Sequence, residues 1–125
     1  MKVIIAGNRD FANDGLLKNI CDKFHAEHTV TEVISGCASG ADSLGEQWAA
    51  RNRIPVKKFH AEWQTYGRGA GPLRKKQMAE YADASILFDF GIGRGSASMR
   101  AEAKKRDLVI VEANAIRNVN IGDMQ

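Results

Sequence analysis

The sequence is poor in several features that define whole classes of protein. It has 2 cysteines in 125 residues, too few for a disulfide framework or a structural metal cluster. Its longest apolar runs, at 3–6 and 108–111, are far shorter than the roughly 20 residues that cross a bilayer. No secretory signal is recognisable, since Met1 and Lys2 lead directly into a strand-like run. We therefore expect a cytoplasmic protein with no membrane contact, no metal and no cofactor.

The composition favours one compact domain. Hydrophobic residues make up 44% and charged residues 26%, with 12 glycines and only 2 prolines. The net charge of +3 is mildly basic. That charge permits an anionic ligand without requiring nucleic acid.

Short β-branched runs alternate with amphipathic segments along the chain, which is typical of βαβ units. We predict strands at 2–6, 31–35, 56–59, 85–88 and 108–111, and helices at 14–28, 41–53, 72–82 and 96–106. A long polar loop is expected at 62–71. These elements predict an α/β fold, a Rossmann-like three-layer sandwich with a mostly parallel five-stranded sheet in the order 3-2-1-4-5. The domain is expected at 1–113, followed by a polar tail at 114–125. That tail and the exposed helix faces leave a homo-oligomer open.

In such a sheet a ligand binds beyond the carboxyl ends of the strands, where the strand order reverses. Three loops are expected there, and their candidate ligand-binding residues are Gly7, Asn8, Arg9, Asp10, Ser35, Gly36, Cys37, Ala38, Gly40, Asp42, Gly91, Gly93, Arg94, Gly95 and Ser96. Two of the loops lead into helix N-termini, whose unpaired N–H groups attract anions. Neither loop has the pattern of a Walker loop or of a dinucleotide fingerprint. The alternative is that these glycines only make turns.

The segment 62–74 is a candidate lid over this crevice. Trp63 and Tyr66 offer stacking faces for a base, and Arg68 and Arg74 offer positive charge. The alternative is a lid packed by its own aromatic residues. Trp48, in the second predicted helix, is expected in the core.

Four segments of the chain together resemble a known family. They are Gly7-Asn8-Arg9-Asp10-Phe11, the run Ser35-Gly36-Cys37-Ala38-Ser39-Gly40-Ala41-Asp42, Trp63 with 67–74 and Met78, and the run 91–99. In this order they resemble the SLOG superfamily, specifically its small YspA-like branch, which is related to Lonely Guy phosphoribohydrolases and to DprA. The resemblance implies a Rossmann-like fold that binds nucleotides or nucleotide-derived molecules at the strand ends. It adds Phe11 and Met99 to the candidate ligand-binding residues.

The sequence also departs from the family pattern. Cys37 replaces a usual glycine, and Lys75 replaces a usual asparagine. The acidic pair that follows the glycine motif in the phosphoribohydrolases is absent, and glycosidic cleavage would want such a group. We therefore expect a binder of a nucleotide-derived signalling molecule rather than an enzyme. Small relatives occur in phages, which suggests a phage-encoded sponge or sensor in anti-phage immunity.

Two alternatives stay open. The first is a phosphoribohydrolase-like enzyme that cleaves the N-glycosidic bond of a nucleoside monophosphate, with Arg100 and Glu102 as weak catalytic candidates. Arg100 can instead belong to a solvated helix face with Lys104 and Lys105. The second is single-stranded nucleic-acid binding through the basic and aromatic stretch 63–76. The modest net charge makes nucleic acid the less favoured partner.

Overall fold

The computed structural model describes residues 1–89 and 94–113, without the side chains of 94–96, and in that part strands alternate with helices. The strands are β1 (Lys2–Gly7), β2 (Glu32–Ser35), β3 (Val56–Lys58), β4 (Ala84–Phe88) and β5 (Val109–Glu112). The helices are α1 (Asp14–His28), α2 (Ala41–Arg51), α3 (Trp63–Tyr66), α4 (Ala70–Tyr81) and α5 (Arg94–Lys105). A 3₁₀ turn, Gly67–Gly69, joins α3 to α4.

The five strands form a single parallel sheet in the order β3-β2-β1-β4-β5, which confirms the predicted fold. In β1, Val3 pairs with Val33 of β2 on one side and with Ala84 of β4 on the other. Because the strands are parallel, the carboxyl ends of β1, β2 and β4 lie at one edge of the sheet. Gly7 and Ser35 are at that edge.

Two hydrophobic cores cover the two faces of the sheet. Val3 and Ile5 pack with α1 and α2, whose Leu17 and Trp48 are buried, as expected for Trp48. Residues of β1 that point the other way, such as Ile4, pack against α4 and α5. The central strands β1 and β4 are buried on both faces, which explains their continuous apolar runs.

The predicted bounds of the strands and of four helices agree with the structure within two residues. The segment 62–71 differs, because the expected loop is mostly helical. It contains α3 and the 3₁₀ turn, and α4 begins at Ala70 rather than at Pro72. Pro72 is tolerated because the first N–H groups of a helix have no intrahelical partner. Ala70 and Gly71 are buried, so packing extends the helix toward its N-terminus.

The N-terminus of α1 begins as its sequence predicts. Asn13 is the N-cap, and its side-chain oxygen accepts a hydrogen bond of 3.0 Å from the N–H of Leu16. Across residues 1–89 and 94–113, no helix has both the length and the apolar character that a bilayer span requires. The predicted tail at 114–125 lies outside the described residues.

Candidate functional site

The loops after β1 and β2 are tied together at the carboxyl edge of the sheet. The carbonyl oxygen of Asn8 accepts a hydrogen bond of 3.2 Å from the N–H of Ala41, and the hydroxyl of Ser39 donates to the carbonyl of Arg9 at 3.1 Å. Gly40 has a φ of +71°, and a Cβ there would lie 2.3 Å from the Asn8 oxygen. Only glycine fits this position. Two of the three predicted loops are therefore in direct contact.

The N-terminus of α2 differs from the anion site that the sequence suggested. Its first N–H group, that of Ala41, already has the Asn8 carbonyl as a partner. The carboxyl group of Asp42, only 6% exposed, lies in the same turn and accepts a hydrogen bond of 3.3 Å from the N–H of Ala38. The Asn8 carbonyl therefore takes the first N–H group of α2, and a carboxylate lies in the same turn. Any anion bound near this turn needs side-chain cations.

Positive side chains are present beside that turn. Arg74 of α4 donates from Nη1 to the carbonyl of Gly36 at 2.8 Å. Burial lowers the pKa of Lys75, and the positive charges of Arg74 and Arg9 lower it further. Arg74 and Lys75 are adjacent in α4, and Arg9 follows β1 at the carboxyl edge of the sheet. We call Arg9, Arg74 and Lys75 the cation cluster.

Asp42 is the negative group that faces the cation cluster. Burial raises the pKa of its carboxyl group, while the N–H of Ala38 and the charge of Arg74 oppose that rise. The pKa of Asp42 is raised overall, so the charge of Arg74 offsets only part of the cost of burying this carboxylate. The three cations outnumber the Asp42 carboxylate, and Glu46, whose charge also raises the pKa of Asp42, is paired with Lys58 at 3.7 Å. This corner of the molecule therefore carries excess positive charge.

Gly36 is the spacer between Asp42 and Arg74. A Cβ at this position would lie 2.9 Å from Oδ2 of Asp42 and 3.5 Å from Nε of Arg74. The absent side chain leaves room for both the carboxylate and the guanidinium beside the backbone of residue 36. Nε of Arg74 is buried and has no hydrogen-bond acceptor among the described residues. This guanidinium therefore retains donor capacity.

Cys37, the departure from the family glycine, has a φ of +65°. Its Sγ lies 3.9 Å from Nε2 of His60. Burial raises the pKa of the Cys37 thiol, and the charge of Glu46 adds to the rise, so the thiol stays protonated at neutral pH. Both cysteines are free. Within the described part of the chain, no group of three or more His, Cys, Asp or Glu side chains is placed to hold a metal ion.

Ser35, the last residue of β2, stabilises the loop that follows it. Its buried hydroxyl donates to Glu46 at 2.6 Å and accepts a hydrogen bond of 3.0 Å from the N–H of Cys37. Both hydroxyl interactions are with protein groups. The structure therefore gives Ser35 a role in shaping the loop.

The aromatic residues of α3 are exposed rather than packed on each other. Trp63 is 55% and Tyr66 49% exposed, and Arg68 is exposed in the 3₁₀ turn. The indole of Trp63 comes within 3.5 Å of the place where a Cβ of Gly71 would stand. The ring thus lies against the first turn of α4 with much of its surface open. The structure therefore does not support the alternative of a segment 62–74 packed by its own aromatic residues.

Two candidates from the family resemblance have core side chains. Phe11 is buried and its ring stacks at a tilt on Phe88, with 5.1 Å between centroids. Met99 is 2% exposed and packs in the core with Ile4. Their side chains support the edge of the sheet rather than line an open crevice. Asp10, by contrast, is exposed.

Arg100 belongs to an ion-pair network instead of a solvated helix face. It donates to Glu112 at the end of β5 and, at 3.1 Å, to Asp89 at the end of β4. Burial disfavours its charge, but the hydrogen bonds to Glu112 and Asp89 outweigh that and raise the pKa of Arg100. Glu102 pairs with Lys105 at 3.5 Å. Both weak catalytic candidates therefore have protein partners.

The third predicted loop falls largely outside the description. Gly91 and Gly93 lie outside the described residues. Arg94, Gly95 and Ser96 form the first turn of α5, and their side chains also lie outside the description. The predicted site residues that the structure brings together are therefore those of the first two loops, joined by Arg74.

Sequence reasoning missed Lys75 as a site residue. It noted this lysine as a departure from asparagine and as part of the basic stretch 63–76, but not beside Arg74 as a member of the small-ligand site. Two adjacent cations in the first turns of a helix, where a positive charge opposes the helix dipole, are a readable signal. The network of Asp89, Arg100 and Glu112 was also missed, because it joins residues from three elements.

Three comparisons with known proteins agree with this architecture. A protein of Mycobacterium phage D29, the Gene 61 protein, is 26% identical over 117 residues, which cover 88% of this chain and 94% of that protein. The X-ray structure of DNA processing protein A (DprA) from Streptococcus pneumoniae superposes with a TM-score of 0.72 at 15% identity. It covers 89% of this chain, which spans about half (49%) of the DprA chain. Residues 1–66, more than half of the sequence, match the model of one family. The chain therefore belongs to the YspA, cpYpsA-related SLOG family (YAcAr).

Proposed function

We propose that this protein binds a nucleotide-derived signalling molecule at the carboxyl edge of β1 and β2, with the ligand's phosphate on the cation cluster. The observation that carries the proposal is that Arg74 contacts the carbonyl of Gly36 while its neighbour on α4, Lys75, feels the positive charges of both Arg74 and Arg9. One of these cations comes from the loop after β1 and two come from α4, and the Asp42 carboxylate offsets only part of their mutual repulsion. A phosphate would accept hydrogen bonds from the guanidinium groups and relieve the repulsion on Lys75.

The size of the ligand follows from the charge distribution. The whole chain carries a formal net charge of only +3, so a long polyanion finds little general attraction. The positive charge near Gly36 is local, and the carboxylate of Asp42 lies beside the same glycine. A small ligand with one or two phosphates suits such a site better than a nucleic-acid strand.

Binding without cleavage is supported by the state of the two catalytic candidates. Arg100 is engaged with Asp89 and Glu112, and Glu102 is paired with Lys105. Neither residue is a free acid or base at the cation cluster. The relative in Mycobacterium phage D29 supports the phage context, and hence a sponge or sensor that holds a host signalling nucleotide.

Calorimetry across nucleoside mono- and diphosphates, ADP-ribose derivatives and cyclic oligonucleotides tests the proposal. At least one compound should bind, and Arg9→Ala or Lys75→Ala should weaken it about 10-fold, the usual effect of losing a charged hydrogen bond. Lys76→Ala is the matched control, because this exposed lysine is adjacent on α4. It should change the affinity by less than about 2-fold.

Two results would contradict the proposal. The first is the absence of binding across the whole panel at millimolar concentration. The second is binding that Arg9→Ala and Lys75→Ala leave unchanged. Chromatography of the ligand after long incubation separates holding from cleavage, because release of free base and ribose phosphate would establish the enzyme alternative instead.

A further inference from the structure

Two large rings are exposed on α3, the short helix that precedes α4. Trp63 and Tyr66 keep about half of their surface in solvent, although burial of such rings stabilises a protein. The other large exposed apolar side chain among the described residues, Val109, lies on the edge strand β5. Trp63 and Tyr66 are therefore the largest exposed apolar side chains among the described residues.

The position of Trp63 connects it with the cations. Its indole lies against Gly71, in the first turn of α4. Arg74 and Lys75 follow Gly71 by three and four residues, so all three positions share one face of the helix. One helical turn, about 5.4 Å along the axis, thus separates the indole contact from the cations. The ring and the positive charges line the same stretch of α4.

We infer that Trp63 is a base-stacking subsite of the same ligand site, so the ligand carries a planar aromatic base together with its phosphate. This inference rests on the proposed function. A phosphate held at Arg74 and Lys75 places the rest of a mononucleotide within reach of the turn that carries Trp63. The open face of the indole gains stacking area with a base and loses exposed apolar surface.

A single-stranded nucleic acid would also stack on an exposed tryptophan, but it fits the charges less well. A strand needs positive groups spaced along its backbone, beyond a single cluster. Here Arg74 and Lys75 are adjacent on α4, Arg74 contacts Gly36, and the Asp42 carboxylate lies beside the same glycine. The arrangement favours one phosphate at a defined distance from one base.

The experiment compares AMP, GMP, CMP and UMP with ribose 5-phosphate, which has the sugar and the phosphate but no base. Affinities come from calorimetry, and the environment of Trp63 from acrylamide quenching of tryptophan fluorescence. The chain has 2 tryptophans, and Trp48 is 1% exposed, so quenching by acrylamide reports almost entirely on Trp63. The variants are Trp63→Ala, Trp63→Phe and Arg74→Ala, each checked for folding by its thermal melt.

We expect at least one mononucleotide to bind about 5-fold to 100-fold more tightly than ribose 5-phosphate and to shield Trp63 from acrylamide. Trp63→Ala should reduce that affinity to the level of ribose 5-phosphate and leave ribose 5-phosphate binding unchanged. Trp63→Phe should retain part of the advantage, because a smaller ring still stacks. Arg74→Ala should weaken ribose 5-phosphate and mononucleotides alike.

The possible failures are distinguishable. Equal affinities for all mononucleotides and ribose 5-phosphate, with no effect of Trp63→Ala, would overturn the stacking subsite and leave the proposed phosphate site intact. Shielding of Trp63 by a single-stranded oligonucleotide, but not by mononucleotides, would replace the inference with strand binding. If none of these compounds binds, the proposed function fails and the stacking subsite fails with it.

Discussion

The substitution Gly36→Ala tests whether Asp42 and Arg74 both pack against Gly36. The new Cβ would lie 2.9 Å from Oδ2 of Asp42, closer than real Cβ contacts, and Asp42 is buried with little room to withdraw. Moving the carboxylate breaks its hydrogen bond to the N–H of Ala38. A hydrogen bond to a charged group contributes about 1.5 to 3 kcal/mol. The lower chain entropy of unfolded alanine offsets roughly 0.5 to 1 kcal/mol of that loss.

The net destabilisation is therefore about 1 to 2 kcal/mol. An unfolding entropy of about 2.1 cal/mol/K per residue over 125 residues amounts to about 0.26 kcal/mol/K, so the melting temperature should fall by about 4 to 8 °C. Differential scanning calorimetry measures the fall. Gly69→Ala is the matched control, because a Cβ there meets nothing within 4 Å, and its melting temperature should stay within about 2 °C of the wild type. A Gly36→Ala variant that melts like Gly69→Ala would refute the contact.

Three further substitutions test other parts of the structure. Asp42→Asn should stabilise the protein at pH 7, because burial raises the pKa of this carboxyl group and so disfavours its charged form. The gain should shrink as the pH falls through that pKa, because the wild-type group then becomes protonated; urea unfolding at pH 7 and pH 4 measures both values. Ser85→Ala should raise the free energy of unfolding by about 1 kcal/mol, since this buried hydroxyl has no hydrogen-bond partner among the described residues, and a loss of stability in urea would contradict that. Arg100→Gln should lower the free energy of unfolding by about 2 kcal/mol, because it leaves Asp89 and Glu112 without their shared cation; an unchanged urea midpoint would show that the network is not stabilising.

Much of the fold could be predicted because the central strands are simple to recognise. A run such as Val3-Ile4-Ile5-Ala6 is apolar on both faces, and only a strand between two helical layers buries both. The order of the strands then follows from the right-handed βαβ connection. The polar segment 62–71 gave no such periodic signal, and its helices depend on contacts, such as that of Trp63 with Gly71, which are invisible in the sequence.

The site could be predicted only in outline. The place of the loops after β1 and β2 at one edge of the sheet indicated that they meet. The hydrogen bond from Ala41 to Asn8 confirms that contact. The roles of individual groups could not be read in the same way. Glycine turns and a helix N-terminus suggested a backbone anion site, whereas in the folded chain the Asn8 carbonyl accepts from the first N–H group of α2 and the Asp42 carboxyl group accepts from Ala38. The cations come from Arg74 and Lys75, whose approach depends on how α4 packs across the sheet.

The central claim is that Arg9, Arg74 and Lys75 form one cluster that takes a phosphate. NMR titration of the Lys75 side chain, with and without ribose 5-phosphate, tests it most directly. In the free protein the pKa of Lys75 should lie below its ordinary value, because it is partly buried beside two other cations. Saturating ribose 5-phosphate should raise that pKa, because the bound anion compensates the cluster. A Lys75 pKa that is ordinary in the free protein, or that does not move when the phosphate is added, would contradict the account.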